Sequence, residues 1–106
     1  MPDRINQLLQ FLEEDPNDPF TLYALALEYQ KSDTIQARTT FEQLTQQHPD
    51  YLPTYYAAAH FMMETGDQHR AEVLFLKGID LAKAQNNKKA LMELQSAYGI
   101  WQMDQE

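Results

Sequence analysis

Apolar residues along this chain recur with the spacing of α-helices. The first segment, from Asp3 to Glu14, has its apolar residues at the i, i+3, i+4 and i+7 positions of one helix face: Ile5, Leu8, Leu9 and Leu12. Asp15-Pro16 ends this segment, because a proline restricts the residue before it to extended geometry. The pattern therefore predicts an amphipathic helix that buries one face and exposes the other.

Helix-start and helix-stop residues divide the rest of the chain into five further helical segments. Asp18, Asp33 and Asp67 are placed to cap helices, and Gly66 can adopt the left-handed conformation that often ends one. Together with the first segment, this predicts an all-α fold of six helices in three antiparallel pairs. The expected helices are Asp3–Glu14, Pro19–Lys31, about 34–48, Pro53 to about 65, about 68–85 and Lys88–Met103.

One unit of sequence occurs twice. Pro19, Asp33, Ala37 and Phe41 recur 34 residues later as Pro53, Asp67, Ala71 and Phe75. A fixed period of this size is typical of stacked helical repeats, whose open ends need covering helices. We therefore predict a single domain over residues 1–106, with a flanking helix in 1–15, repeats in 19–52 and 53–86, and a C-terminal capping helix in 87–106.

Composition narrows the functional class. The chain has 106 residues, no cysteine, and a net charge of −8. Such acidity disfavours binding to phosphate backbones, which relies on Lys and Arg. No secretory signal and no apolar run of about 20 residues is visible, so we expect a soluble, cytoplasmic protein that contacts neither nucleic acid nor membrane.

Candidate chemistry is sparse. His60 and Glu64 lie four residues apart on one helix face, but a metal site needs three or four ligands. The glycines are scattered, which excludes a phosphate-binding loop, and neither serine lies in a nucleophile-elbow pattern. We expect no enzyme activity, no metal and no cofactor.

The repeated unit resembles the tetratricopeptide repeat family. The family pattern has an aromatic residue, Leu-Gly and Tyr in its first helix, followed by Ala, Phe and Pro. Ala37, Phe41 and Pro49 match it in the first unit, while the second unit has Lys83 in place of the final proline. The second unit is similar at Tyr55, Ala58, Ala59, Met62, Ala71 and Phe75. The resemblance implies a right-handed helix-turn-helix repeat solenoid and a non-catalytic adaptor or scaffold.

The first helix of the first unit admits two registers against this pattern. Alignment with the second unit selects Thr21, Ala24, Leu25 and Glu28. A slip of one residue selects Phe20, Tyr23, Ala24 and Leu27 instead. Both registers remain open from the sequence, and they place different side chains on each face.

The resemblance also implies a concave groove, lined by the first helix of each repeat, that binds a peptide or protein segment. The in-register positions are Leu22, Ala26, Tyr29 and Gln30, then Tyr56, His60, Met63 and Glu64. Several of these, Leu22 and Ala26 above all, are alternatively core residues. None is Lys, Arg or Asn, so the resemblance does not extend to the relatives that hold acidic chaperone tails. The aromatic and methionine character favours an apolar partner segment, and the overall acidity favours one that also carries positive charge.

A second functional hypothesis is a self-assembling scaffold subunit. The C-terminal helix stays apolar where a cap should be polar, and Tyr98, Ile100, Trp101 and Met103 are the candidate contacts of a homodimer. The alternative is that Trp101 folds back on the helix between Asp67 and Gln85.

Overall fold

The computed structural model describes residues 2–105, and all regular structure within this range is α-helical. The six predicted helices are confirmed, each to within two residues at both ends. They are α1 Pro2–Glu14, α2 Pro19–Tyr29, α3 Thr34–Gln47, α4 Pro53–Glu64, α5 Gln68–Ala84 and α6 Lys88–Asp104. The chain forms two compact units: unit 1 extends to Thr54, and unit 2 begins at Tyr55.

Short polar side chains start the helices as expected. The Asp18 carboxylate accepts a hydrogen bond from the Phe20 amide at 3.0 Å, and the Asp33 carboxylate accepts one from the Gln36 amide at 3.1 Å. Asp67 does the same for α5, with the Arg70 amide at 3.2 Å. Each cap satisfies an amide that has no carbonyl partner in the first turn of its helix.

Helices α4 and α5 end in the same type of left-handed cap. Gly66 follows α4 with a φ of 89°, and Asn86 follows α5 with a φ of 55°. The next amide then reaches back five residues, from Asp67 to the Met62 carbonyl and from Asn87 to the Ala82 carbonyl. This left-handed cap satisfies the last carbonyls of each helix. The following residue immediately caps the next helix, so neither connection contains spare chain.

Unit 1 is built from α1 packed on α2 and α2 packed on α3. Its burial pattern distinguishes the two registers of α2. Thr21 and Leu25 are buried, whereas Phe20 is 63% exposed, which agrees with the alignment to the second unit and not with the one-residue slip. The other buried apolar side chains of these three helices are Leu8, Leu22, Ala26, Ala37, Phe41 and Leu44.

Unit 2 has α6 packed against α5, with Gly78 of α5 at its centre. A methyl group added to Gly78 would lie 2.7 Å from the Tyr55 Cβ of α4 and 3.2 Å from the Leu94 methyl groups of α6. Glycine is therefore the residue that allows both neighbouring helices to approach α5. The buried side chains around it include Tyr55, Leu74, Phe75, Ile79, Ala82 and Leu94.

We expect Gly78→Ala to destabilise the protein. The gain of about 1 kcal/mol in helix propensity is outweighed by overpacking against Tyr55 Cβ, which belongs to a stiff part of its side chain, so we expect a net loss of about 1–2 kcal/mol. Urea unfolding monitored by circular dichroism measures this change.

Gly99→Ala in α6 is the matched control, because an added methyl group there meets no atom within 4 Å. That variant should gain up to about 1 kcal/mol from helix propensity alone. Equal effects of the two substitutions would contradict the close approach at Gly78.

Candidate functional site

Unit 2 contains an open pocket of about 430 Å³ between side chains of α4 and α6. Both helices contribute apolar and polar groups to its walls, and α5 contributes one aromatic residue. The lining residues are Tyr56, His60 and Met63 from α4, Phe75 from α5, and Met92, Glu93, Ser96, Ala97, Ile100 and Asp104 from α6.

The α4 wall is an ordered row of side chains spaced one helical turn apart. The Tyr56 and His60 rings stack with centroids 5.6 Å apart and an interplanar angle of 25°. The His60 Nδ1 atom lies 3.1 Å from the Glu64 Oε1 atom, an i, i+4 contact that turns the ring along the helix. This arrangement presents a flat aromatic surface with a carboxylate at one end.

The α6 wall combines exposed apolar side chains with acids. Met92 is 69% exposed and Ile100 is 60% exposed, although both border the pocket. Glu93 and Asp104 also line it, and Phe75 lies fully buried beneath. The described residues that line the pocket include no Lys or Arg, so the charged groups on its walls are acidic.

The position of α6 is fixed by aromatic and polar contacts with α5. Tyr98 and Trp101 stack with centroids 5.6 Å apart, and both rings contact Phe75. The Trp101 Nε1 atom donates a hydrogen bond to Gln68 Oε1 at 2.7 Å, and the Tyr98 hydroxyl donates one to Glu72 Oε2 at 3.0 Å. The alternative in which Trp101 folds back on α5 is thereby confirmed.

The same contacts perturb the ionisation of Tyr98. Burial raises the pKa of the Tyr98 phenol above its usual value of 10, and the hydrogen bond to the Glu72 carboxylate and the charge of that carboxylate raise this pKa further. Burial is also the leading cause of the raised pKa values of Tyr23 and Tyr51, which pack edge to face in unit 1.

The structure distributes the predicted groove residues unequally. Tyr56, His60 and Met63 line the pocket, and Glu64 lies beside it through His60. In unit 1, by contrast, Leu22 and Ala26 are core residues, because α1 packs on α2. Tyr29 is half-buried, and Gln30 is exposed just beyond the end of α2.

The pocket residues from α6 were missed as groove residues, because α6 was interpreted as a cap. One signal was present in the sequence: Met92, Ser96 and Ile100 share a face at i, i+4 and i+8, separate from the face that carries Leu94 and Trp101. Of the candidate self-association residues, Ile100 and Met103 are exposed, whereas Tyr98 and Trp101 are engaged with α5.

Neither a metal centre nor a membrane span emerges within residues 2–105. No group of three or more His, Asp or Glu side chains in this range is arranged to hold a metal ion. None of the described helices combines the length and the hydrophobicity needed to cross a bilayer.

Comparison with known proteins identifies the family. No family model matches the sequence, and no curated protein matches it. Among solved structures, a crystal structure of a tetratricopeptide repeat domain protein from Salinibacter ruber is 36% identical, with a TM-score of 0.74, over 80% of this chain and 96% of that one. A solution NMR structure of a tetratricopeptide repeat domain protein from the same organism is 38% identical, with a TM-score of 0.77, over 82% and 89% of the two chains.

The chain belongs to the tetratricopeptide repeat family. Its six described helices form an all-α helical repeat fold, as predicted. Tetratricopeptide repeats are in general protein-interaction modules, and they are typically non-catalytic.

The raised pKa of Tyr98 predicts a loss of stability at alkaline pH. The unfolded chain releases the phenolic proton near pH 10, while the folded protein retains it to higher pH. The contribution of Tyr98 is thus fully present below pH 10 and is lost as pH rises through the folded-state pKa. Tyr98→Phe should cost about 1 kcal/mol at pH 7, because a hydrogen bond is lost, and should reduce the alkaline loss.

Urea unfolding of the wild type and Tyr98→Phe at pH 7, 9, 10 and 11 tests this expectation. Glu72→Gln is the matched variant, since an amide oxygen still accepts the hydrogen bond but carries no charge. It should also show a smaller alkaline loss than the wild type. A difference between wild type and Tyr98→Phe that stays constant from pH 7 to pH 11 would contradict the assignment.

Proposed function

We propose that this tetratricopeptide repeat protein is an adaptor whose unit 2 pocket binds an apolar side chain of a partner protein, within a segment that also carries Lys or Arg. The observation that carries the proposal is the pocket itself, in which Tyr56 and Met63 face the same space as Met92 and Ile100. Aromatic and methionine side chains provide large contact area and adapt to different partners.

The acidic side chains around the pocket favour a ligand segment that carries Lys or Arg. Glu93 and Asp104 line it, Glu64 contacts His60 at its edge, and the whole chain has a net charge of −8. A Lys or Arg close to the apolar anchor would meet these carboxylates, whereas an acidic segment would be repelled. Charge complementarity of this kind raises the association rate and selects among partners.

The dimensions of the pocket support a modest affinity. A volume of about 430 Å³ accommodates one or two side chains rather than a large surface. Interfaces below about 1,200 Å² are generally weak, so we expect dissociation constants in the micromolar range. A low affinity suits an adaptor that exchanges partners.

We expect a displayed random-peptide library selected on the full chain to enrich sequences with one aromatic or long aliphatic residue near Lys or Arg. Tyr56→Ala should weaken an enriched peptide by about tenfold, as expected for a central aromatic contact. Glu93→Lys should also weaken binding and should reduce its dependence on salt. Isothermal titration calorimetry at two salt concentrations measures both effects.

Phe20→Ala is the control, since Phe20 is an exposed aromatic residue of unit 1 and does not line the pocket. It should bind the peptide as the wild type does. Enrichment of acidic peptides would contradict the proposed ligand, and equal binding by Tyr56→Ala and the wild type would contradict the proposed site. Circular dichroism confirms that each variant retains its helices.

A further inference from the structure

Helix α6 has a second apolar face, whose large side chains are mostly exposed and part of which borders the pocket of unit 2. Its inner face carries Leu94 and Trp101, which are buried. The outer face carries Met92, Ile100 and Met103, which are 69%, 60% and 71% exposed. Met92, Ser96 and Ile100 are spaced four residues apart, and Met103 follows three residues later, so that these side chains form one stripe along the helix. A concentration of large exposed apolar side chains on one helix indicates a contact surface.

We propose that this outer face pairs with the same face of a second copy of the chain, with the two α6 helices antiparallel and a twofold axis at Ser96. A twofold contact requires a self-complementary surface. In this arrangement, Met92 of each copy lies level with Ile100 of the second copy, on both sides of the axis. On both sides of the axis the contact is therefore apolar against apolar, and at the axis it is small against small.

The centre of the face permits close approach of the two helices. Ser96 is small and exposed, and Gly99 lies one turn further on. A methyl group placed on Gly99 meets no atom within 4 Å, in contrast to Gly78, whose neighbours are already in place. Small residues at a helix crossing let two backbones approach while the larger side chains interdigitate around them.

The charges along α6 select the antiparallel orientation. Lys88 and Lys89 lie in its first turn, whereas Asp104 ends it. Antiparallel packing brings Lys89 of each copy beside Met103 and Asp104 of the second copy, so two unlike pairs form. Parallel packing would instead place the lysines of both copies together. This pattern favours a second copy of the chain as the occupant of the face, because α6 carries both the apolar groups and the opposite charges that an antiparallel pair needs.

The size of the face predicts a weak, reversible dimer. A helix of 17 residues is about 26 Å long, so a single helix pair buries less than the roughly 1,200 Å² found in stable complexes. We expect a dissociation constant on the order of 10–100 µM. The protein is then largely monomeric when dilute and dimeric when it is concentrated or locally enriched.

Dimerisation would also regulate the pocket of unit 2, a consequence that rests on the proposed function. Met92, Ser96 and Ile100 border the pocket and also form the centre of the outer face. A second α6 laid along this face covers one lip of the pocket. Self-association and binding of a partner segment are therefore expected to compete.

Analytical ultracentrifugation of the full chain from 10 to 500 µM tests the dimer without any ligand. Lys89→Asp and Asp104→Lys each turn two attractive pairs into two repulsive ones, so each should weaken the dimer by about tenfold. The double variant should restore the wild-type dissociation constant to within about threefold. A wild type that stays monomeric at 500 µM, or a double variant no stronger than the single ones, would overturn the proposal.

Ser96→Arg supplies a second, steric test. It places two guanidinium groups against each other at the axis, and the dimer should be lost at every concentration. Gln102→Arg is the matched control, because Gln102 is exposed on α6 but lies off the stripe, and it should dimerise as the wild type does. Persistence of the dimer in Ser96→Arg would show that another surface mediates it and would reject the proposed face.

Competition is tested with Lys89→Asp, since Lys89 does not line the pocket. At 5 µM protein both proteins are monomeric, so the ratio of their affinities for a peptide selected on the wild type reports only the effect of the changed charge on the basic peptide. At 200 µM protein the variant should gain a further advantage of about twofold or more over the wild type. An unchanged ratio at the two concentrations would reject the competition. A charge-swap-dependent dimer would stand even if no peptide were selected, so failure of the proposed function and failure of the dimer are distinguishable.

Discussion

The absence of a side chain at Gly78 is the constraint on which the rest of unit 2 depends. α5 meets the Tyr55 Cβ of α4 and the Leu94 methyl groups of α6 at this one residue, on distances that leave no room for a methyl group. Packing against α5 therefore determines how far apart α4 and α6 lie. Because both helices pack against Gly78, this residue also determines the width of the pocket between their side chains.

The aromatic contacts between α5 and α6 add orientation to this close packing. Phe75, Tyr98 and Trp101 form a continuous ring cluster, and the polar edges of Tyr98 and Trp101 are hydrogen-bonded to Glu72 and Gln68. Each ring thus buries its faces and satisfies its polar atom. Because these bonds fix the rotation of α6 about its axis, they also determine which residues remain outside. The exposed stripe of Met92, Ile100 and Met103 is the complement of that inner face.

Much of the fold was predictable because its signals are local. Caps such as Asp33 and Asp67 act within three residues, and the repeated Ala and Phe positions mark the buried face of α3 and α5 directly. The register of α2 was not predictable, since apolar residues occupy both alternatives and only tertiary packing buries Thr21 while exposing Phe20. For the same reason, Leu9 was assigned to an inner face that the structure leaves partly exposed. The candidate site divides in the same way: the residues from α4 follow from the repeat, whereas those from α6 depend on how a helix outside the repeat is rotated.

The junction between α5 and α6 also determines how unit 2 can move. Gln85 caps the end of α5, Asn86 follows in the left-handed conformation, and Asn87 caps the start of α6, so the connection between the two helices consists of capping residues alone. Outward movement of α6 would break the hydrogen bond from the Asn87 amide to the Ala82 carbonyl in the last turn of α5. Opening of this region is thus a local unfolding event that involves both helices, and their backbone amides should exchange with solvent as one cooperative unit. Under the proposed function, a partner segment would meet a wall of the pocket that is already in place, and the entropy lost on binding would be chiefly that of the segment.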